Sequence, residues 1–155
     1  SCEGLGGILG LSVANRGKTA EAKVPDFLKA YDSRHLDFVW ARNYDAHSAG
    51  GRFTRQVFDF AWFMPGLHGG IEVKEVAHAF RLPHKNLKPE SAAKLRKREL
   101  AGGRVVVLIH FSTVGLWRVL PLAPFLVREG GSWDFSEVPT FESAKAALDS
   151  LGLFV

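Results

Sequence analysis

A single cysteine, Cys2, stands among 155 residues, so neither an internal disulfide nor a cysteine-based zinc site can form, and the usage fits a reducing compartment. No apolar run reaches the roughly 18 residues that a membrane-spanning helix needs, so no membrane association is expected. The six histidines, at positions 35, 47, 68, 78, 84 and 110, show no His-X3-His or similar zinc spacing. Gly17-Lys18-Thr19 imitates the tail of a phosphate-binding loop, but Ser12 stands where the leading glycine is required. No Gly-X-Ser-X-Gly nucleophile elbow, internal repeat or low-complexity tract is present, and no organic cofactor is expected. Residues 1–14 are Gly-rich without a basic n-region, which reads as a flexible arm rather than a signal peptide. The chain is expected to work in the cytoplasm.

With 46% apolar composition, the chain can bury one substantial core, and a single α/β domain over residues 1–155 is the default. Charge is unevenly spread. Residues 81–104 hold eight Lys or Arg against two Glu, a local excess of +6 within a chain of net +4, so the remainder stands at −2. That asymmetry suggests a polyanion approaching one face, although a solvated helix surface gives the same count.

Val24, Phe27, Leu28 and Tyr31 follow helical spacing, with Pro25 predicting a kink or a restart. Glu21, three residues before Val24, sits on or beside this apolar stripe; a first-turn acid facing solvent fits equally well. Residues 35–42 alternate Leu36, Phe38 and Trp40 against Asp37, Val39 and Ala41, the pattern of a first strand. Residues 43–56 centre on turn residues and carry Arg52 and Arg55, which reads as a protruding loop or an ordinary surface connection. A helix is expected from Lys88, with Pro89 in its first turn, Ala92, Leu95 and Leu100 inward, and Lys94, Lys97 and Arg98 on one exposed face. Residues 104–111 form a continuous apolar run, expected as a central strand with residues 116–120 as its neighbour. His110 reads as a core histidine. A short helix over 122–128, a loop over 130–134 and a closing helix over 141–151 complete the chain.

Residues 57–76 carry the chemistry. Two apolar runs flank Pro65-Gly66 and Gly69-Gly70, a hairpin pattern. Centred near Gly66 and Leu67, it sets Asp59 opposite Lys74 and Ala61 opposite Glu72, with all three charged groups on one face. Two acids and a lysine on an apolar sheet are costly to bury unless a cation offsets them. A hard divalent ion needs only one or two carboxylates and a carbonyl beside a phosphate, so Asp59, Glu72 and the Val73 carbonyl are candidate ligands. Lys74 would orient a water or neutralise developing charge. Glu-X-Lys alone is common on exposed strands; the preceding same-face acid and the following basic helix set this one apart.

In order, Asn15-Arg16-Gly17-Lys18 with Glu21, Asp59-Phe60, Glu72-Val73-Lys74, Arg81-Leu82-Pro83-His84-Lys85-Asn86-Leu87, Leu95, and Gly102-Gly103 before an apolar strand resemble the PD-(D/E)XK nuclease superfamily, and within it the RecU-type Holliday-junction resolvases. The resemblance implies a restriction-endonuclease-like fold, a mixed central β-sheet flanked by helices. It also implies a homodimer that cuts four-way DNA junctions symmetrically with Mg²⁺ or Mn²⁺. By position, Asp59 and Glu72 match metal ligands, Lys74 the catalytic lysine and Glu21 the helix-borne acid. Arg16, Lys18, Arg52, Arg55, Lys85, Lys88, Lys94, Lys97 and Arg98 are then the expected DNA contacts. Two departures stand out. Ser91 occupies the position of a family glutamine, and residues 43–56 are short for the stalk of that family. The small size and short stalk resemble phage-encoded relatives, which would act in the host cytoplasm, and the four catalytic positions also resemble archaeal resolvases. Two alternatives remain: a repair- or restriction-type nuclease of the same superfamily, and a non-catalytic junction-binding module.

Overall fold

The structure, a computed structural model, describes residues 20–43 and 59–154. The Gly-rich arm, Arg16, Lys18, and most of the expected stalk, with Arg52 and Arg55, lie outside the described residues.

Helix α1 (Lys23–Asp32) buries Val24, Phe27, Leu28 and Tyr31, the expected stripe. Ala20 and Glu21 before it are helical, and Ala22 joins them to α1 at φ −61° and ψ −19°. Pro25 falls in the first turn of α1, where a missing N–H is tolerated. Five strands form the main sheet: β1 (Val39–Arg42), β2 (Phe60–Met64), β3 (Leu67–Val76), β5 (Arg104–Phe111) and β6 (Leu116–Pro121), in the order β1-β2-β3-β5-β6. Only β3 and β5 run parallel. A parallel pair needs a crossover, and here it holds β4 (Arg81–Pro83) and α2 (Pro89–Leu100). A small ribbon pairs β4 with β7 (Ser132–Asp134), and α3 (Ala144–Asp149) closes the chain.

Alternation along the strands splits the core in two. Phe60, Trp62, Ile71, Val73, Val106 and Leu108 pack with α1, α3 and Phe154 on one face. Ala61, Val105, Val107 and Ile109 pack with α2, Leu82, Leu87, Phe125 and Trp133 on the other. The mixed α/β sheet flanked by helices is thus the expected architecture, with β5 buried on both faces.

Several local expectations need correction. The hairpin turns at Pro65-Gly66, with Gly66 at φ +72°, so Met64 pairs with Leu67 and Ala61 with Gly70, two residues from the expected register. Proline presets the first turn position and glycine supplies the positive φ of the second. Strand β1 is shorter than the pattern suggested, and Leu36 is fully exposed. The His35 ring stacks on Tyr31 and bonds its carbonyl, which folds residues 33–37 back onto the helix end. Leu100 is exposed rather than inward. Residues 132–134 form β7 instead of a loop, because β4 supplies a partner strand. The closing helix starts at Ala144, capped by the Ser143 hydroxyl, since Phe141 is held in a two-way backbone bridge with Trp117. The short helix expected over 122–128 is a 3₁₀ turn at Ala123–Leu126.

Gly69 tests this packing. An added Cβ would lie 2.2 Å from the Arg104 carbonyl oxygen and 2.5 Å from the ring of Trp62, itself 1% exposed. Gly69→Ala is expected to lower the unfolding free energy by about 3 kcal/mol. Gly131→Ala, with nothing within 4 Å of its new Cβ, is expected to change it by less than about 0.5 kcal/mol. Urea denaturation of the two variants checks both.

Candidate active site

The site begins where β2 ends. Ile71 still pairs with Phe60, but the next step of the register, Asp59 across from Glu72, is not a strand pair. In a sheet, alternate residues direct their backbone groups toward the same edge. Val73 therefore points its N–H and C=O past the end of β2. The N–H donates to Asp59 Oδ2 at 2.7 Å, and the carbonyl faces the same gap. The Asp59 backbone is itself fixed, its carbonyl accepting from Asn43 N–H at 2.7 Å as the chain leaves β1.

Glu72 and Lys74 project from the face opposite Ile71 and Val73, the face Asp59 shares by alternation with Ala61. Because strands repeat every two residues, the two-residue register correction leaves this grouping intact. Glu72 is buried at 9% exposure, and its Oε1 lies 3.2 Å from Lys74 Nζ. Glu21 arrives from the other face, just before α1, close enough to the Asp59 carboxyl to push it up. Its Oε2 also accepts from Arg42 Nη2 at 3.0 Å. Arg42, the last residue of the expected first strand, was not among the expected site residues. The missed signal was its alternation with Trp40, which turns it toward α1.

Crowding of acids shapes the electrostatics. Burial, then the charge of Glu72, then the hydrogen bond and charge of Glu21 push the Asp59 carboxyl up from 3.8 to about 9, against the pull of the Val73 N–H. Burial also pushes Glu72 up, offset by the adjacent Lys74 ammonium and raised further by Glu21. Such a cluster favours a cation. Two carboxylates and a backbone carbonyl facing one gap are all-oxygen donors, which suit a hard divalent ion such as Mg²⁺ or Mn²⁺ that keeps several waters. Among the described residues no three His, Cys, Asp or Glu side chains group closely enough to cage a metal ion alone, so waters or a phosphate would complete the shell.

The described basic candidates lie on the crossover between β3 and β5, whose helix packs on the sheet face that also carries Glu72 and Lys74. Lys85 lies in a 3₁₀ turn (His84–Asn86), and Lys88 caps α2; Lys94, Lys97 and Arg98 are exposed along it. Arg96 is paired with Glu99. The Arg98 carbonyl accepts from Gly103 N–H, which ties the end of α2 to the start of β5. Lys74 pairs with Ile109, five residues further along β5, about 16 Å at strand rise. Arg128, which the sequence reading did not single out, donates to the carbonyls of His84 and Leu87 and lies over Trp133, so it props up the turn carrying Lys85. Ser91 is half-buried in the first turn of α2.

A carboxyl whose pKa rises on folding favours the fold below its unfolded value and loses that contribution as pH climbs toward its folded value. For Asp59 the window runs from 3.8 to about 9, and Glu72 acts in the same direction. Metal-free protein is expected to lose thermal stability across this window, and Asp59→Asn to flatten the loss. Melting temperatures in chelator from pH 5 to 9 check it; parallel profiles would contradict the charge crowding.

No family model matches the chain, and no curated protein sequence is significantly similar to it. Among solved structures, the chain is similar to Archaeoglobus fulgidus Hjc, a Holliday junction resolvase from an archaeal hyperthermophile, with a TM-score of 0.55 at 19% identity, over 84% of this chain and 94% of that one. At that identity the likeness establishes a shared fold: the five-stranded mixed sheet flanked by helices is that of the Hjc structure.

Proposed function

We propose that the protein is a metal-dependent, structure-selective DNA endonuclease that resolves four-way junctions by hydrolysing one phosphodiester in each of two opposed strands. The observation that carries this reading is the convergence of Asp59, Glu72, Lys74 and the Val73 carbonyl on the gap where β2 ends. The likeness to a junction resolvase of known structure supports it, and the residue motifs point to the RecU type, in a form resembling phage-encoded relatives.

Asp59 and Glu72, with the Val73 carbonyl, would hold Mg²⁺, and Mn²⁺ would substitute. When bound, the ion supplies charge neutralisation at the phosphate and acidifies a bound water. The chain does the rest. The Val73 N–H fixes the Asp59 carboxylate, and Glu72 positions the Lys74 ammonium, which neutralises charge developing on the phosphoryl oxygens. Glu21 completes the acid group. Two matched cuts require two such centres, met by a homodimer with two-fold symmetry. Binding rests on phosphate contacts from Lys85, Lys88, Lys94, Lys97 and Arg98, together with Arg16, Lys18, Arg52 and Arg55. Selectivity then lies in the shape of branched DNA, not in base reading. No helix among the described residues is long and apolar enough to cross a membrane; the cytoplasm, or a host cytoplasm, is the proposed setting.

Asp59→Asn and Glu72→Gln are expected to keep junction binding and abolish Mg²⁺-dependent cleavage; cutting near the wild-type rate would sink the assignment. Cleavage of a four-way junction compared with its linear arms separates a resolvase from a repair- or restriction-type nuclease, and no cleavage across a Mg²⁺ titration would leave only a binding module. Neutralising Lys94, Lys97 and Arg98 together is expected to reduce the slope of log affinity against log salt by about 2 to 3. An unchanged slope would mark α2 as a solvated face.

A further inference from the structure

Glu21 is badly placed to serve the site by its own backbone. The stripe of α1 aims Val24, Phe27 and Leu28 into the cluster containing Ile71 and Val73, while Glu72 and Lys74 leave the sheet on the other side. Glu21 lies on the helical residues just before α1, joined to it through Ala22 at φ −61° and ψ −19°. To meet Asp59 its carboxylate must reach across the open end of the sheet. Arg42 stands at that end. It is the last residue of β1, paired with Phe60, the residue next to Asp59. Its guanidinium packs 5.6 Å from the Phe60 ring centroid and donates to Glu21 Oε2 at 3.0 Å.

We propose that Arg42 is a positioning residue that acts through Glu21, holding this carboxylate across the open end of the sheet and against Asp59. The inference rests on the metal-centre reading above. A part-exposed ion pair, with side chains 34% and 21% exposed, adds little to stability, so its consequence lies in the site. One carboxylate oxygen is held by the planar, always-charged fork of arginine, and the other is left for Asp59 or for a cation shared with it. Arg42 also offsets one of three clustered acid charges without occupying the gap below Val73, the part played by Lys74 on the opposite face.

Calorimetric Mn²⁺ titration of the DNA-free protein tests this without any cleavage assay. Arg42→Ala is expected to weaken Mn²⁺ binding about tenfold, as loss of an outer partner of a metal-site carboxylate does. Arg42→Lys, which keeps the charge but not the fork, is expected to recover part of it. In a Glu21→Gln background, Arg42→Ala is expected to cost nothing further, because the group it acts through is already gone. The Mg²⁺ concentration for half-maximal junction cleavage should shift in the same way, with junction affinity in Ca²⁺ unchanged. The proposal is overturned if Arg42→Ala leaves Mn²⁺ affinity unchanged or tightens it, if its full cost persists beside Glu21→Gln, if the main effect is weaker junction binding, or if wild-type protein binds no Mn²⁺. Wild-type protein that binds Mn²⁺ but leaves junctions intact would fail the nuclease reading alone, and the titrations would still decide Arg42.

Discussion

One backbone donor organises this molecule. Strand β2 begins only at Phe60 while β3 runs past that level, so the N–H of Val73 lacks the strand partner it would otherwise have, and a buried donor without a partner is costly. The Asp59 carboxylate supplies the missing acceptor at 2.7 Å. An acid thereby stands in for a strand. It is set across from Glu72, and the Val73 carbonyl, aimed the same way, is left open beside two carboxylates. Had β2 run two residues further, the ladder would have consumed both backbone groups and no gap would exist. The site is a consequence of where pairing ends.

That solution conflicts with the rest of the core. Burial and mutual repulsion push Asp59 and Glu72 toward their neutral forms, and a third acid, Glu21, joins them from the helical residues before α1. Two cations relieve the conflict from opposite faces, Lys74 at Glu72 and Arg42 at Glu21. The framework that tolerates this is apolar on both sides of the sheet, and functional sites commonly carry such local violations on a scaffold that is otherwise self-consistent. In the proposed function a divalent ion would be the further partner, bringing positive charge to the Asp59 and Glu72 carboxyls.

The same physics decides what could be read from the chain beforehand. Period-two alternation is enough to put Asp59, Glu72 and Lys74 on one face, and a register error of two residues cannot disturb it. The error itself arose because Gly69-Gly70 resembles turn chemistry. In the sheet Gly69 is small for a different reason: Trp62 and the Arg104 carbonyl occupy the space a side chain would need. Helix α1 and the buried run of β5 were legible because their patterns are long. Strand β7 was not, since three residues carry no period and only the partner β4 makes them a strand. Nor was the Arg42–Glu21 pair: it joins residues 21 positions apart across the end of a sheet, and nothing local in the sequence marks such a contact.

The positions of the cations bear on how the proposed reaction would choose its substrate. The centre is acidic, so it repels a phosphate unless the neutralising groups are all in place. The C-terminal end of α2 is tied to the start of β5, four residues and about 13 Å along the strand from Leu108, the partner of Val73, so Lys97 and Arg98 would meet phosphates other than the one under attack. In the proposed reaction, affinity and chemistry would be supplied by separate parts of the surface, and a DNA would reach the centre only if its backbone path satisfied the remote contacts and the gap together. A branched backbone and a linear one differ in that path, whatever their base sequence. On the proposed reading, shape selectivity would follow from setting the basic end of α2 apart from the acidic gap along one sheet, with no groove-reading element required.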